Sequence, residues 1–422
     1  MTRKTSRRTF LKTTALGVAA PMILPSGVLA APGRPGANDR INFGLIGCGR
    51  RGRQILPHRD DSVMVGFADV NQARLDEMKE GHPEAATFLD YREMLAMPEL
   101  DAVLIATPDH WHTLPAIHAC EAGKDIYIEK PMTLTIAEGR ALVKAARKHG
   151  RIVQVGSQQR STKECRIGCE LVRNGRVGRI HTVHGSNYPS PWECALGEQP
   201  VPEGLNWDVW CGQTEPRAYH IDLYLPRAQG RADALGRLGW ISFRPYSGGE
   251  ITGWGAHGLD IIQWALGTEL SCPVEVWPEG EGLTCPITYR YADGTLCHLD
   301  NKGPGGGGVF EGDEGSILVD RGKYEVKPET VSSEPVGEGA QRLYESNDHM
   351  GNFVDCMRSR ELPIADVEIG HRSTTMCHLG NIARWTGRKL RWDPVAERFE
   401  NDDEANGLLS REGRAPYAVP TA

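Results

Sequence analysis

The sequence predicts an α/β protein of two domains, a doubly wound parallel sheet followed by an α+β domain with a mainly antiparallel sheet. Three observations predict it. At 422 residues the chain is longer than one core ordinarily serves. Short apolar runs alternate with helical stretches from Arg40 to Val155. After Gly156 the alternation stops, and strand-like runs follow one another instead.

Taken in order, the chain begins with Ser6-Arg7-Arg8-Thr9-Phe10-Leu11-Lys12, the form of a twin-arginine export signal. A weakly apolar stretch over 13–25 leads to Val28-Leu29-Ala30, a small-residue cleavage site. That run is too short to span a bilayer. Residues 1–30 are therefore read as a signal peptide for the twin-arginine machinery, and the protein is expected in the periplasm or otherwise exported. A Gly/Pro-rich linker occupies 31–39. Within 40–158 the pattern predicts strands at 41–46, 62–68, 102–106, 125–128 and 152–155. Helices fall between them at 72–80, 91–96, 114–121 and 136–149. The second domain, 159–395, opens with a helix at 165–174 and a strand at 180–186. An irregular stretch rich in Pro, Gly and Trp covers 189–249. Helices are expected at 257–266, 352–359 and 372–385, and strands at 274–277, 284–291, 295–299 and 316–319. Residues 303–308 read as a flexible loop without chemistry, and 396–422 as a polar tail.

Composition narrows the function. Apolar residues make up 40% of the chain and charged residues 24%, the balance of an ordinary soluble domain. A net charge of −7 offers no footprint for nucleic acid. Eleven cysteines, an odd number without a Cys-x-x-Cys pair, suggest neither a disulfide framework nor a zinc site.

Gly47-Cys48-Gly49-Arg50-Arg51-Gly52 follows the first strand and opens a helix, and Asp69 ends the next strand about 20 residues on. This is a dinucleotide-binding (Rossmann) fingerprint. Gly47 permits the tight turn, Gly49 lets backbone approach a pyrophosphate, and Gly52 allows close helix–strand packing. Asp69 suits ribose hydroxyls and repels a 2′-phosphate, which favours NAD over NADP. Thr107-Pro108-Asp109-His110-Trp111-His112 follows a strand at its carboxyl end, where ligands of open sheets bind. His110 and His112 lack the further ligand a metal would need. Glu129-Lys130-Pro131 ends the following strand, and an ammonium at Lys130 can polarise a carbonyl or stabilise an alkoxide.

Together with Gly253-Trp254-Gly255-Ala256-His257-Gly258-Leu259-Asp260 and Ile369-Gly370-His371-Arg372-Ser373, these motifs resemble the glucose-fructose oxidoreductase/inositol dehydrogenase (Gfo/Idh/MocA) family over about residues 40–395. The resemblance implies a large open second sheet used for homo-oligomer contacts, dimer or tetramer, and substrates that are sugars or polyols. It also implies Lys130 as a catalytic residue and a pattern Asp-x-Gly-x-His, matched by Gly255 and His257 but with Gly253 at the aspartate's place. His257 is expected to move the proton, with Asp260, three residues on, orienting it or binding a hydroxyl. Substrate choice is expected from the Trp-rich stretch, including Trp254, with Trp111, Gln158, Arg160 and Tyr188 as further pocket candidates. An exported enzyme meets no free nicotinamide cofactor, so a closed redox cycle on a retained NAD is expected, either between two sugars or by transient oxidation in a glycosidase- or lyase-type reaction. A non-catalytic envelope sugar-binding protein is the alternative from another class.

Overall fold

The run Ile41–Ile46 is apolar at nearly every position, which suits only a strand covered on both faces. In the computed structural model it is β1, in the middle of a six-stranded parallel sheet. Its companions are β2 (Ser62–Ala68), β3 (Ala86–Phe88), β4 (Ala102–Ile105), β5 (Asp125–Ile128) and β6 (Val153–Val155). Their order, β3-β2-β1-β4-β5-β6, reverses direction at β1. A crevice opens at that switch point, beyond the carboxyl ends of β1 and β4. The connecting helices are α1 (Arg50–Gln54), α2 (Gln72–Gly81), α3 (Tyr91–Leu95), α4 (Thr113–Glu121) and α5 (Ile136–His149). α5 shows why such boundaries are readable. The Thr135 side chain accepts from the Glu138 backbone N–H at its start, and Gly150 ends it with a φ of 61°.

The structure describes residue 36 and residues 39–193, 195–225 and 239–420, in two compact units. One holds the described residues up to Ile41 with His58–Val63, and the other holds Asn42–Pro57 and everything from Met64 on. All the site residues below belong to the second. The twin-arginine motif and the cleavage site lie outside the described residues.

The second sheet has nine strands: β7 (Ile180–Gly185), β8 (Glu275–Pro278), β9 (Ile287–Arg290), β10 (Leu296–Leu299), β11 (Gly308–Gly312), β12 (Gly315–Asp320), β13 (Lys323–Lys327), β14 (Leu390–Asp393) and β15 (Arg398–Phe399). Their order is β13-β12-β11-β7-β10-β9-β8-β14-β15, antiparallel except for the pair β7–β10. Helices α6 (Lys163–Arg173), α7 (Gly255–Leu266) and α9 (Val367–Thr386) pack on the sheet, while α8 (His349–Ser359) precedes α9 in the chain. Val183, Phe310 and Ile317 meet Ile167, Leu171, Ile261 and Met376 in one buried core. Each such side chain contributes about 1.5–3 kcal/mol of burial. The ten described cysteines are free and buried.

Two departures from the sequence pattern matter for the site. The polar tail is not all loop: it contains β15 and a short helix, Asp403–Gly407, capped by Asp402. It is anchored by only a few fully buried apolar side chains, such as Phe399 and Ala405, too few to make a periodic pattern. Two further short helices, Trp207–Cys211 and Ile221–Tyr224, stand inside the Trp-rich stretch.

Candidate active site

The turn after β1 is built of glycines for steric reasons. Gly47 has a φ of 92°, and a Cβ there would lie 2.8 Å from the Ala106 carbonyl. A Cβ on Gly52 would stand 2.2 Å from the Gly47 oxygen, so helix and turn touch only without a side chain. Gly49 is different. A Cβ there would meet nothing closer than the Arg74 guanidinium at 3.6 Å, because its backbone faces open space. At the end of β2, Asp69 accepts from the Cys48 N–H at 2.8 Å and the Asn71 N–H at 3.0 Å. Burial raises its pKa against the pull of Arg74, 3.7 Å away.

This turn floors a cleft of two confluent lobes that share Gly49, Arg74, Ala106, Thr107, Pro108 and Trp210. The first lobe holds Gly47 and Asp69 on one side and Asn206, Val209, Pro416 and Tyr417 on the other. The second holds Arg50, Arg51, Glu129, Lys130, Gln158, Gly253, Trp254, His257 and Arg321. The Thr107 hydroxyl is buried at the junction without a hydrogen-bond partner.

In the second lobe Lys130 Nζ donates to the Gly253 carbonyl at 3.0 Å. The backbone of the residue that stands at the missing aspartate's place thus receives the ammonium. Arg51 pairs with Glu129 at 2.8 Å. His257 is 7% exposed and opens into the lobe at the N-terminal end of α7. Burial, then the charges of Lys130, Arg321 and Arg51, hold its pKa well below the usual imidazole value. The imidazole is therefore neutral at physiological pH, ready to accept a proton but a weak base.

Asp109 was not singled out by the sequence. It is 2% exposed, lines the same lobe, and accepts from Ser247 Oγ at 2.6 Å. Ser247 Oγ in turn accepts from the Gly249 N–H at 3.1 Å, just before the short helix Glu250–Gly253 whose last carbonyl holds Lys130. Burial above all, opposed by Ser247 and Lys130, lifts the Asp109 pKa from 3.8 to about 7. A carboxyl raised on folding binds more protons in the native state between those two values, so its ionisation removes stability as pH rises from 3.8 through about 7. Asp109→Asn is expected to escape that loss while keeping an acceptor for Ser247. Thermal unfolding at about pH 5 and about pH 8 checks this, with the melting temperature of the variant gaining on wild type at the higher pH. A difference that stays constant would show that Asp109 does not titrate in this range.

Several expected pocket residues are placed elsewhere. Asp260 does not orient His257. It forms a bidentate pair with Arg160 at 2.7 and 2.9 Å and accepts from Ser373 Oγ at 2.6 Å. Three residues along a helix leave two side chains about 60° apart, enough to send His257 to the cleft and Asp260 into the core. Arg160 is buried with it, over the Trp264 ring at 5.0 Å. Tyr188 donates to the Gly305 carbonyl at 3.4 Å and does not line either lobe. Trp111 stands in the first lobe, its Nε1 donating to the Val209 and Trp210 carbonyls at 2.9 and 3.0 Å, away from Lys130. His110 lies behind the wall, 2.7 Å from the Trp210 carbonyl, because burial of its ring leaves no edge for a ligand. His112 lines the second lobe but spans the Pro131 and Thr107 carbonyls at 2.6 and 3.0 Å, which ties two loops together. Of the clustered tryptophans, Trp210, Trp240 and Trp254 reach the cleft. Arg321, Arg74, Tyr224 and Tyr417 are lining residues that no local motif marked.

Comparison with known proteins adds a lineage. Residues 41–157 match the family described as "Oxidoreductase family, NAD-binding Rossmann fold", and residues 171–419 match its "C-terminal alpha/beta domain". The chain is 29% identical over 214 residues to a 1-carboxy-3-chloro-3,4-dihydroxycyclohexa-1,5-diene dehydrogenase of Comamonas testosteroni, covering 49% of this chain and 53% of that one. It is 30% identical over 155 residues to a myo-inositol 2-dehydrogenase of Thermotoga maritima, covering 36% and 46%. The match thus spans about half the length of these curated relatives. The fold is shared with the WlbA dehydrogenase of Bordetella pertussis, solved with NADH and UDP-GlcNAcA, at a TM-score of 0.59 and 19% identity over 84% of this chain and 99% of that one.

Proposed function

This chain belongs to the Gfo/Idh/MocA oxidoreductase family and carries its NAD-binding Rossmann domain, and from that premise we propose that it oxidises or reduces a carbinol carbon of a sugar or polyol with an NAD retained between turnovers. One observation carries the reading: Lys130 and His257 face a single space that begins at Gly49-Arg50-Arg51. The residues fit the dinucleotide. Gly49 leaves its backbone open to the cleft, the buried Thr107 hydroxyl lacks a partner, and the Asp69 oxygens keep lone pairs for ribose hydroxyls. Bound NAD supplies the hydride acceptor. Asp69 would then hold the ribose, and Arg50 and Arg51 would offset the pyrophosphate charge. The Lys130 ammonium donates to the carbinol oxygen and stabilises the charge that develops there. A neutral imidazole nitrogen of His257 takes the hydroxyl proton, and the pull of Lys130 on that oxygen compensates for the weakness of the base.

Retention is supported by what roofs the first lobe. The Gln72 N–H donates to the Gly204 carbonyl and the Asn206 N–H to the Val70 carbonyl, both at 2.9 Å, which pins the 204–210 segment over Asp69. Arg414 Nη1 pairs with Asp208 at 2.7 Å, and the Tyr417 ring meets Trp111 edge-on at 5.4 Å. An adenosine held beneath them would leave only when these contacts open. In an exported protein, as the Arg7-Arg8 motif predicts, a cofactor that stays must be restored in every cycle. A second sugar does this, or reduction of the same carbon after elimination or hydrolysis.

Protein purified after native export is expected to release stoichiometric NAD or NADH on acid treatment, read by mass spectrometry. Isotopically labelled NAD in the medium should exchange in slowly, and Tyr417→Ala should speed the exchange on the order of tenfold by removing an aromatic wall. Rapid exchange in the wild type would make this an ordinary dehydrogenase of free cofactor. An empty site that also refuses added NAD would leave the sugar-binding protein as the better reading.

A further inference from the structure

The second lobe carries more positive than negative charge, and one of its cations takes no part in the chemistry proposed above. Among the described lining residues, Arg50, Arg51, Arg74, Lys130 and Arg321 face Asp109 and Glu129. Arg51 is matched by Glu129 at 2.8 Å and Arg74 by Asp69 at 3.7 Å. Arg50 is assigned to the pyrophosphate and Lys130 to the carbinol oxygen above, which leaves Arg321 without a role. It lies in the turn between β12 and β13, and among the described residues it meets no carboxylate.

It is nonetheless held. Its Nε donates to Gln159 Oε1 at 3.0 Å, and Gln159 is itself buried and tied by Nε2 to the Gly306 carbonyl. Its guanidinium lies 5.3 Å from the centre of the Trp254 ring, whose indole is 42% exposed and 5.8 Å from the His257 ring. Nε is thus engaged and the guanidinium rests near the Trp254 ring, while among the described residues neither Nη nitrogen meets a carboxylate. A guanidinium held in this way loses little further freedom on binding, and its fork of parallel N–H donors matches the two oxygens of a carboxylate.

We propose that the substrate is an anionic sugar, a uronate, whose carboxylate is taken by Arg321 while its carbinol carbon lies toward Lys130 and His257. The proposal rests on the reading of this cleft as a sugar site. One monoanionic fork opposite one guanidinium favours a carboxylate over a phosphate dianion, and Trp254 beside it offers an apolar face to the C–H groups of the ring.

The test uses NAD-loaded protein and sugars that differ only at C6: D-glucuronate, D-glucose and D-glucose 6-phosphate, with the D-galacto uronate and neutral sugar as a second pair. Dissociation constants are measured by calorimetry for wild type, Arg321→Gln and Arg321→Lys. At least one uronate is expected to bind about 10- to 100-fold more tightly than its neutral counterpart, with a preference that weakens in salt. Arg321→Gln should abolish the preference without changing the NAD content, and Arg321→Lys, which keeps the charge but not the fork, should restore part of it. Equal binding of uronate and neutral sugar, undetectable binding of both uronates, tightest binding of the 6-phosphate, or a preference that survives Arg321→Gln would each overturn the assignment. Failure of the underlying redox reading shows separately, as protein without NAD.

Discussion

Lys130→Met is expected to lower kcat by about 10²- to 10⁴-fold while leaving NAD bound and the fold intact. Methionine keeps the length and most of the apolar volume of the lysine stem, so the wall between Pro131 and Gly253 stays filled. What disappears is a charged donor at the carbinol oxygen. The loss should fall on kcat and kcat/KM alike, because the interaction strengthens as negative charge develops on that oxygen. Single-turnover reduction of the bound cofactor, read at its own absorbance, measures the chemical step without substrate release. The effect should be large here because burial, the largest cause of the low His257 pKa, keeps the imidazole a weak base even when the charge of Lys130 is gone. A rate within about threefold of wild type would move the polarising role away from Lys130 and leave His257 to act unaided.

Asp260→Asn is expected to damage stability rather than chemistry. The Asp260 and Arg160 side chains are 2% and 1% exposed, joined by two hydrogen bonds, with Ser373 donating to the same carboxylate. Neutralising one partner leaves a buried guanidinium without its countercharge, at a cost of about 3–5 kcal/mol. Denaturant unfolding of the NAD-loaded protein should show that loss, and the molecules that remain folded should turn over within a few-fold of wild type. The opposite pattern, unchanged stability with kcat collapsed, would make Asp260 a catalytic residue as its spacing from His257 suggested. Arg160→Met separates the two further, since it removes the guanidinium and leaves the carboxylate to burial.

These two variants mark how far the cleft was legible. Lys130 and His257 each sit in a short motif whose neighbours announce it, Glu129-Lys130-Pro131 and Gly255-Ala256-His257, and the structure brings both to one lobe. Asp260 was legible as a residue near His257 but not as the partner of Arg160. The two are 100 positions apart, and no local pattern predicts a buried pair over that distance. Arg321 and Tyr417 were invisible for the same reason, and Asp109, though inside a motif at a strand's carboxyl end, gave no sign of its distant partner. Each owes its place to contacts with residues far along the chain: Gln159 and Trp254 for Arg321, Ser247 for Asp109, and Trp111 for Tyr417. The tail reads as loop because Phe399, Ala405 and Tyr417 are single anchors without a period.

By itself the sequence determined the parallel sheet, the glycine turn after β1 and the acidic residue that closes β2, because each follows from short-range rules. Apolar runs of five or six residues must be covered on both faces. A φ of 92° at Gly47 and a 2.2 Å approach at Gly52 admit only glycine, whatever the rest of the chain does. Tertiary structure alone decided which side chains share the cleft and which are spent in the core. Helix spacing fixes the angle between His257 and Asp260, but only packing against Arg160 and Ser373 decides that one faces the cleft and the other does not. Charge is settled the same way: five lining cations are visible in the sequence, yet only the folded chain shows that Arg51 and Arg74 are matched by carboxylates while Arg321 is held by Gln159 and Trp254 instead.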